Sequence, residues 1–122
     1  MKLFLATTDD LTDRQILDAL EEVLGESGRS VTCALVRRTF PEATRAAIQT
    51  AHAVFGVWSP GDPLAVGELA YAAGVGRPVY VVAPPGTPPW FCLGVGAGGC
   101  YSTALRAVAA FLRDLAARRM AA

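Results

Sequence analysis

The sequence predicts an α/β three-layer sandwich, and three observations carry that expectation. Short apolar runs alternate with helical patterns along the chain, an order that makes strands parallel and puts helices on both faces of one sheet. The runs at 30–36, 53–58 and 78–83 are apolar nearly throughout, as strands covered on both faces are. The chain has 122 residues, 52% of them hydrophobic and 18% charged, enough for a single domain over 1–122 with a core that needs no staples.

Residues 2–6 (KLFLA) form a short first strand. Thr12 and Gln15 have capping-box spacing, and Ile16, Leu17, Leu20, Val23 and Leu24 recur on one helical face until Gly25 stops the helix. Residues 30–36 (SVTCALV) read as a buried strand. Thr39 and Glu42 repeat the capping-box spacing with Pro41 in the first turn, so a short helix is expected to about residue 51. Residues 53–58 (AVFGVW) are the third strand, and the turn 59–62 (SPGD) leads into a helix from 63 to about 75. Arg77-Pro78 closes that helix, and 78–83 (PVYVVA) is the fourth strand. From 84 to 99 Pro and Gly dominate around Trp90 and Phe91, which predicts a long loop with a short fifth strand near Cys100. Ser102 caps a last helix from 103 to about 120, with Leu105, Val108, Leu112 and Leu115 on one face. Arg113, Arg118 and Arg119 lie in its second half, where the helix dipole favours cations.

Four to five parallel strands covered on both faces make a small flavodoxin-like αβα sandwich with right-handed crossovers. Ligands in such sheets sit beyond the carboxyl ends of the strands, where the strand order reverses. That rule gathers residues 7–10 (with Thr7 and Thr8), 37–40, 58–62 and 84–90 around one crevice.

Composition removes several classes of function. Eleven Lys and Arg balance eleven Asp and Glu, so the chain has no general electrostatic grip on nucleic acid or acidic membranes. No apolar run reaches the roughly 20 residues of a membrane span. Met1-Lys2 leads directly into an apolar segment without a cleavage-type region, so no secretory signal is expected. Cys33, Cys92 and Cys100 are an odd set without metal-ligand spacing, which points to a reducing cytoplasmic setting and away from a disulfide framework or zinc site. Gly94-Val-Gly96-Ala-Gly-Gly99 matches a dinucleotide-binding pattern but follows a Pro-rich loop and has no strand after the last helix, so no cofactor is expected. His52, the one histidine, reads as structural, and Arg37-Arg38 as a solvated pair at a strand end. Trp58 and Trp90 either stack on a base or anchor a core edge.

The most informative segment is the helix at 63–75, where Glu68 is the one charge between Asp62 and Arg77. A helix that is apolar all round is buried by core or by a partner. A carboxylate left there without partners would cost several kcal/mol, roughly the effective penalty of a buried ion. Glu68 therefore has an ion-pair partner, with Arg77 or a second copy of the chain as candidates, or it faces a crevice and is used. An ionised carboxylate in an enclosed pocket is a competent nucleophile for a sugar anomeric carbon. Asp62 before Pro63 reads as a helix cap, which does not exclude contact with a ligand.

The run Asp62-Pro-Leu-Ala-Val-Gly-Glu68-Leu-Ala-Tyr-Ala, followed by Gly76-Arg-Pro-Val-Tyr-Val-Val, resembles the motif of nucleoside 2-deoxyribosyltransferases. Ile48 to Trp58 resembles the helix and strand that precede that motif. The resemblance is close over about 40–83 and loose elsewhere. It implies a flavodoxin-like sheet, a homo-oligomer whose neighbours complete each other's sites, and a small-molecule nucleoside or nucleotide as partner. It implies that Glu68 attacks C1′ and holds a glycosyl-enzyme intermediate, which a second base or water then receives. Asp62 would sit near the 5′-hydroxyl and base end, and Thr7, Thr8, Thr44, Trp58, Gly61 and Trp90 would line the substrate site. An Asp at 62 repels a 5′-phosphate and accepts from a free 5′-hydroxyl, which favours nucleosides. Three positions depart from the family's pattern: Phe4 stands for a Tyr, Thr44 for a base-contacting Asp, and Gly98 for an Asn lent by a neighbour. The alternative they imply is a module that binds nucleosides or nucleotides without cleaving them.

Overall fold

The computed structural model describes residues 2–6, 14–16, 18, 19, 22, 32–34, 42–58, 61, 63–94 and 98–121. Strands β1 (Lys2–Ala6), β2 (Thr32–Ala34), β3 (Ala53–Val57), β4 (Val79–Val82) and β5 (Gly98–Tyr101) form one parallel sheet in the order β2-β1-β3-β4-β5. The helices are α1 (Glu42–Thr50), α2 (Pro63–Gly74), α3 (Pro89–Gly94) and α4 (Ala104–Ala121). Arg14, Gln15, Ile16, Asp18, Ala19 and Glu22 are helical as well, inside the first expected helix. The caps read at Thr12, Thr39 and Pro41 and the apolar positions Leu17, Leu20, Val23 and Leu24 lie outside the described residues, as do 30–31 and 35–36 around β2.

This is the flavodoxin-like order, and the direction of winding reverses between β1 and β3. Crossovers of one hand then require the connecting helices to change faces at that point. The core divides accordingly. Leu3, Leu5, Ala53, Phe55 and Tyr80 pack on Ile16, Ala19 and the Ala107, Val108, Ala110 and Phe111 face of α4. Phe4, Ala6, Val54, Val79 and Val81 point the other way, against Ile48 of α1, Leu69 and Ala72 of α2 and Phe91 of α3. The alternation along each strand is the period-two geometry of the pleat.

Two glycines set close approaches. A Cβ on Gly56 would lie 2.7 Å from Leu69 Cδ2 and 2.8 Å from the Ala6 carbonyl oxygen, so α2 reaches the sheet only because β3 is bare there. Gly98 has φ +107° and its Cβ would fall 2.1 Å from the Val79 carbonyl oxygen, so β5 can start beside β4 only with glycine. Pro78 precedes β4, and its carbonyl accepts from Val54 N at 2.9 Å, joining β4 to β3.

Three expectations are corrected. The stretch 84–99 is not one loop: Pro89 to Gly94 form α3, which begins on proline where a helix needs no N–H. Ser102 does not cap the last helix; Thr103 Oγ1 accepts from Arg106 N at 3.2 Å, the N-cap bond. Leu105 is 50% exposed, because the inward face of α4 is carried by Ala107, Val108, Ala110 and Phe111, with Leu112 and Leu115 partly buried. His52 is structural as expected: its Nδ1 accepts from Lys2 N at 3.0 Å while its own N donates to the Lys2 carbonyl at 2.8 Å, tying the start of β3 to β1.

Candidate functional site

The carboxyl edge of the central strands is formed by Ala6, Val57-Trp58 and Val82-Ala83, and α2 starts from that edge. Along α2 the buried positions are Ala65, Glu68, Leu69 and Ala72, the spacing of one helical face turned to the sheet. Leu69 lies over Gly56, the penultimate residue of β3, so Glu68 sits one residue closer to the carboxyl end, in the second turn of α2. Glu68 is 5% exposed and, with Thr44 at 1%, is one of the two buried polar side chains among the described residues. Glu68 is not without an interaction partner. Arg77 Nε is buried without a hydrogen bond among the described residues.

The outward side of α2 is uncharged. Pro63, Gly67, Ala70 and Gly74 are exposed, and Val66 and Ala73 are half-buried. Tyr71 accepts from Gln49 Nε2 at 2.6 Å, linking α2 to α1. Between α2 and α3 lies an apolar pocket of about 140 Å³ walled by Val66, Leu69, Ala70, Ala73, Trp90 and Phe91.

Trp58, just past β3, stacks at a tilt on Phe91 with ring centroids 4.4 Å apart and meets Trp90 edge-on at 5.7 Å. The two readings of these tryptophans divide. Trp58 is half-buried against the core, whereas Trp90 is 66% exposed. Gly61 is exposed in the turn before α2, and Thr44 is buried in the first half of α1 with a partner of its own. Thr7, Thr8 and Asp62 lie outside the described residues, as does the 37–40 segment assigned to the same crevice.

A second groove, of about 470 Å³, opens on the opposite face of the sheet, where Gln15, Asp18 and Glu22 face Ser102 and Thr103 at the start of α4. Glu68 lines neither cavity. Sequence reasoning missed the Trp58–Phe91 contact. Proline at the first position and glycine at the last position of α3 were the available signal for the helix that creates it. The Gly94 to Gly99 pattern runs from the end of α3 into β5, the reverse of the strand-to-helix turn a dinucleotide site requires. No group of three or more His, Cys, Asp or Glu among the described residues is placed to hold a metal ion. No helix among them is long and apolar enough to cross a membrane.

No protein-family model matches the sequence, and no curated protein does. Among solved structures, that of a 2-deoxyribosyltransferase from the psychrotolerant bacterium Bacillus psychrosaccharolyticus, described as a biocatalyst for nucleoside synthesis, is similar to this chain with a TM-score of 0.55. The match covers 85% of this chain and 88% of that one at 19% identity, a likeness of fold.

Proposed function

We propose that the chain acts on the N-glycosidic bond of nucleosides, with Glu68 as the nucleophile. The carboxylate attacks the anomeric carbon, the bond to the base breaks, and the base takes the bond's electron pair and a proton from solvent. The sugar is held as a glycosyl ester until water or a second base takes it. Hydrolysis and transfer differ only in that acceptor. The observation that carries the reading is Glu68 itself: a carboxylate 5% exposed, at the carboxyl edge of the central strands, on a helix with no other charge. That edge is where sheets of this order bind ligands. The similarity in fold to a 2-deoxyribosyltransferase and the Asp62–Glu68 spacing support the same reading.

In this reading Asp62 contacts the 5′-hydroxyl and excludes a 5′-phosphate, Trp90 and Trp58 meet the base, Thr44 stands where the family contacts the base, and Thr7, Thr8 and Gly61 line the substrate site. The setting is the cytoplasm, and the uncharged outer side of α2 seats a second copy of the chain. The test is incubation with a panel of deoxynucleosides, with and without an acceptor base, following free base by chromatography. Release in the wild type that Glu68→Gln abolishes is expected. Release that survives Glu68→Gln undiminished overturns the assignment.

A second reading, binding without cleavage, is favoured by two observations. Phe4 is buried in the core beneath α2 and has no hydroxyl to orient a carboxylate. Gly98 cannot be replaced by any residue with a side chain, given its φ of +107° and the Val79 carbonyl at 2.1 Å from a Cβ. On this reading millimolar nucleoside raises the melting temperature while no base is released. No shift with any nucleoside or nucleotide rejects both readings.

A further inference from the structure

The apolar pocket between α2 and α3 does not include Glu68. Val66, Leu69, Ala70 and Ala73 are spaced i, i+3, i+4, i+7 and present one stripe of α2 to it. Glu68 shares the neighbouring stripe of Ala65 and Ala72, which is turned to the sheet. The hollow measures about 140 Å³ and follows from residue size. Ala70 and Ala73 stop at Cβ, and Gly94 ends α3 without a side chain, where a Cβ would meet nothing within 4 Å. The remaining wall is aromatic: Trp90 and Phe91 meet edge-on at 6.2 Å and 86°. Trp58 touches both rings, at 5.7 and 4.4 Å, and holds that wall in place. We propose that this pocket binds an uncharged single-ring aromatic compound, at a site separate from Glu68.

Size, polarity and shape select that class together. An apolar cavity of roughly 150 Å³ admits one benzene ring. No wall residue is charged, so an ion would give up its hydration and meet no counter-charge. The Trp90 indole N–H is the one polar side-chain group in the walls, a single donor. A nucleobase carries several donors and acceptors, and one indole N–H leaves those turned to the walls unpaired. A benzene or phenol ring has at most one group to satisfy, and a phenol oxygen can accept from that N–H. Aromatic rings pair edge-to-face or offset, and a flat ring laid against Trp90 and Phe91 extends the edge-on series already present.

The test is titration of the whole ¹⁵N-labelled protein with fluorobenzene, followed by NMR. The chain has two tryptophans, hence two indole N–H signals, and the one lost in Trp90→Phe belongs to Trp90. Expected is a shift of the Trp90 signal that saturates. Ala73→Phe puts a ring into the hollow and should weaken binding at least about 10-fold. Glu68→Gln should bind fluorobenzene as the wild type does. Cyclohexane, which fills space but has no aromatic face, should bind at least about 3-fold more weakly. Adenine at equal concentration should not displace fluorobenzene.

A Trp90 signal that stays unmoved up to the solubility limit of fluorobenzene overturns the proposal. So does unchanged binding in a folded Ala73→Phe protein, or cyclohexane binding as tight as fluorobenzene. Displacement by adenine overturns it in a different way: the pocket is then the base subsite of the reaction proposed for Glu68, and that reading gains what this one loses. Self-association that grows with protein concentration and bars fluorobenzene makes a second copy the occupant and overturns it too. If Ala73→Phe fails to fold, the wild-type titration and the adenine competition still decide.

Discussion

The two faces of the sheet differ in what their polar groups do. On the α4 face Phe55 and Tyr80 stack at 5.4 Å, Phe111 meets both edge-on at 5.5 and 5.6 Å, and the Tyr80 hydroxyl donates to Asp114 Oδ2 at 2.7 Å. That hydroxyl completes an otherwise apolar cluster and ends in a partly exposed carboxylate, an arrangement that holds a helix to a sheet. On the α1–α3 face the approach is closer, through Gly56, and the buried polar groups are Thr44 and the carboxylate Glu68. A fold gains little stability from a buried carboxylate that a glutamine or an apolar residue could replace. If Glu68 acts as proposed, one face keeps the sheet together and the other carries chemistry, and substitutions on the two faces should separate accordingly.

The largest effect is expected on the α4 face. Phe55→Ala empties the centre of the aromatic cluster, since Phe55 is fully buried and touches both Tyr80 and Phe111. A loss of about 3–5 kcal/mol is expected in urea unfolding monitored by circular dichroism. A loss under about 1 kcal/mol would mean that the cluster repacks and that this face is not the anchor.

On the opposite face Glu68→Gln should show the converse. The side chain keeps its shape, so the melting temperature should stay near wild type, while base release from a deoxynucleoside falls at least about 100-fold, at the lower end of what a directly participating group contributes. If the melting temperature collapses instead, Glu68 is a structural partner and the two faces do not differ in kind.

Tyr80 gives a smaller effect with a distinctive pH profile. Tyr80→Phe removes one hydrogen bond to Asp114 and should cost about 1–2 kcal/mol at neutral pH. Burial first, and the bond to Asp114 second, push the Tyr80 phenol well above its ordinary value of 10.0. A tyrosine whose folded value is raised keeps its proton in the fold longer than in the unfolded chain. Its contribution to stability is thus complete below about pH 10 and declines as pH rises past that point. Unfolding free energy should therefore fall more steeply above pH 10 in the wild type than in Tyr80→Phe. Equal slopes would show that the phenol titrates alike in both states.

Much of this arrangement is legible in the sequence, and the parts that are not share a cause. The runs of β1, β3 and β4 declare themselves because each is buried on both sides and holds almost no charge, and α2 declares itself because Glu68 is its one charge. Glu68 stands out for the same reason. Helix α3 is hidden because it has six residues, too few for a period, inside a segment dominated by Pro and Gly. The inward face of α4 is misread because leucines draw attention, whereas close packing on the sheet selects Ala107 and Ala110 and leaves Leu105 outside. The meeting of Trp58 with Phe91 depends on how elements far apart in the chain are brought together by the sheet, and no local pattern encodes that.

The smallest expected effect separates two neighbouring hydroxyls on the α4 face. Ser102 and Thr103 are equally good caps by residue type, and only geometry distinguishes them: Thr103 Oγ1 receives the Arg106 N–H at 3.2 Å, and the Thr103 carbonyl receives the Ala107 N–H at 3.1 Å. Thr103→Ala should cost about 1 kcal/mol, the usual worth of an N-cap. Ser102→Ala should change stability by less than about 0.5 kcal/mol, as a surface substitution away from such a feature does. Both are read from the midpoint of urea unfolding at constant slope. Because α4 closes the face that holds the sheet together and lies across the sheet from Glu68, neither substitution should alter base release. A Thr103→Ala protein that is destabilised and also loses turnover would show that the two faces are coupled through β4 and β5, and that the division between holding and chemistry is not a division between faces.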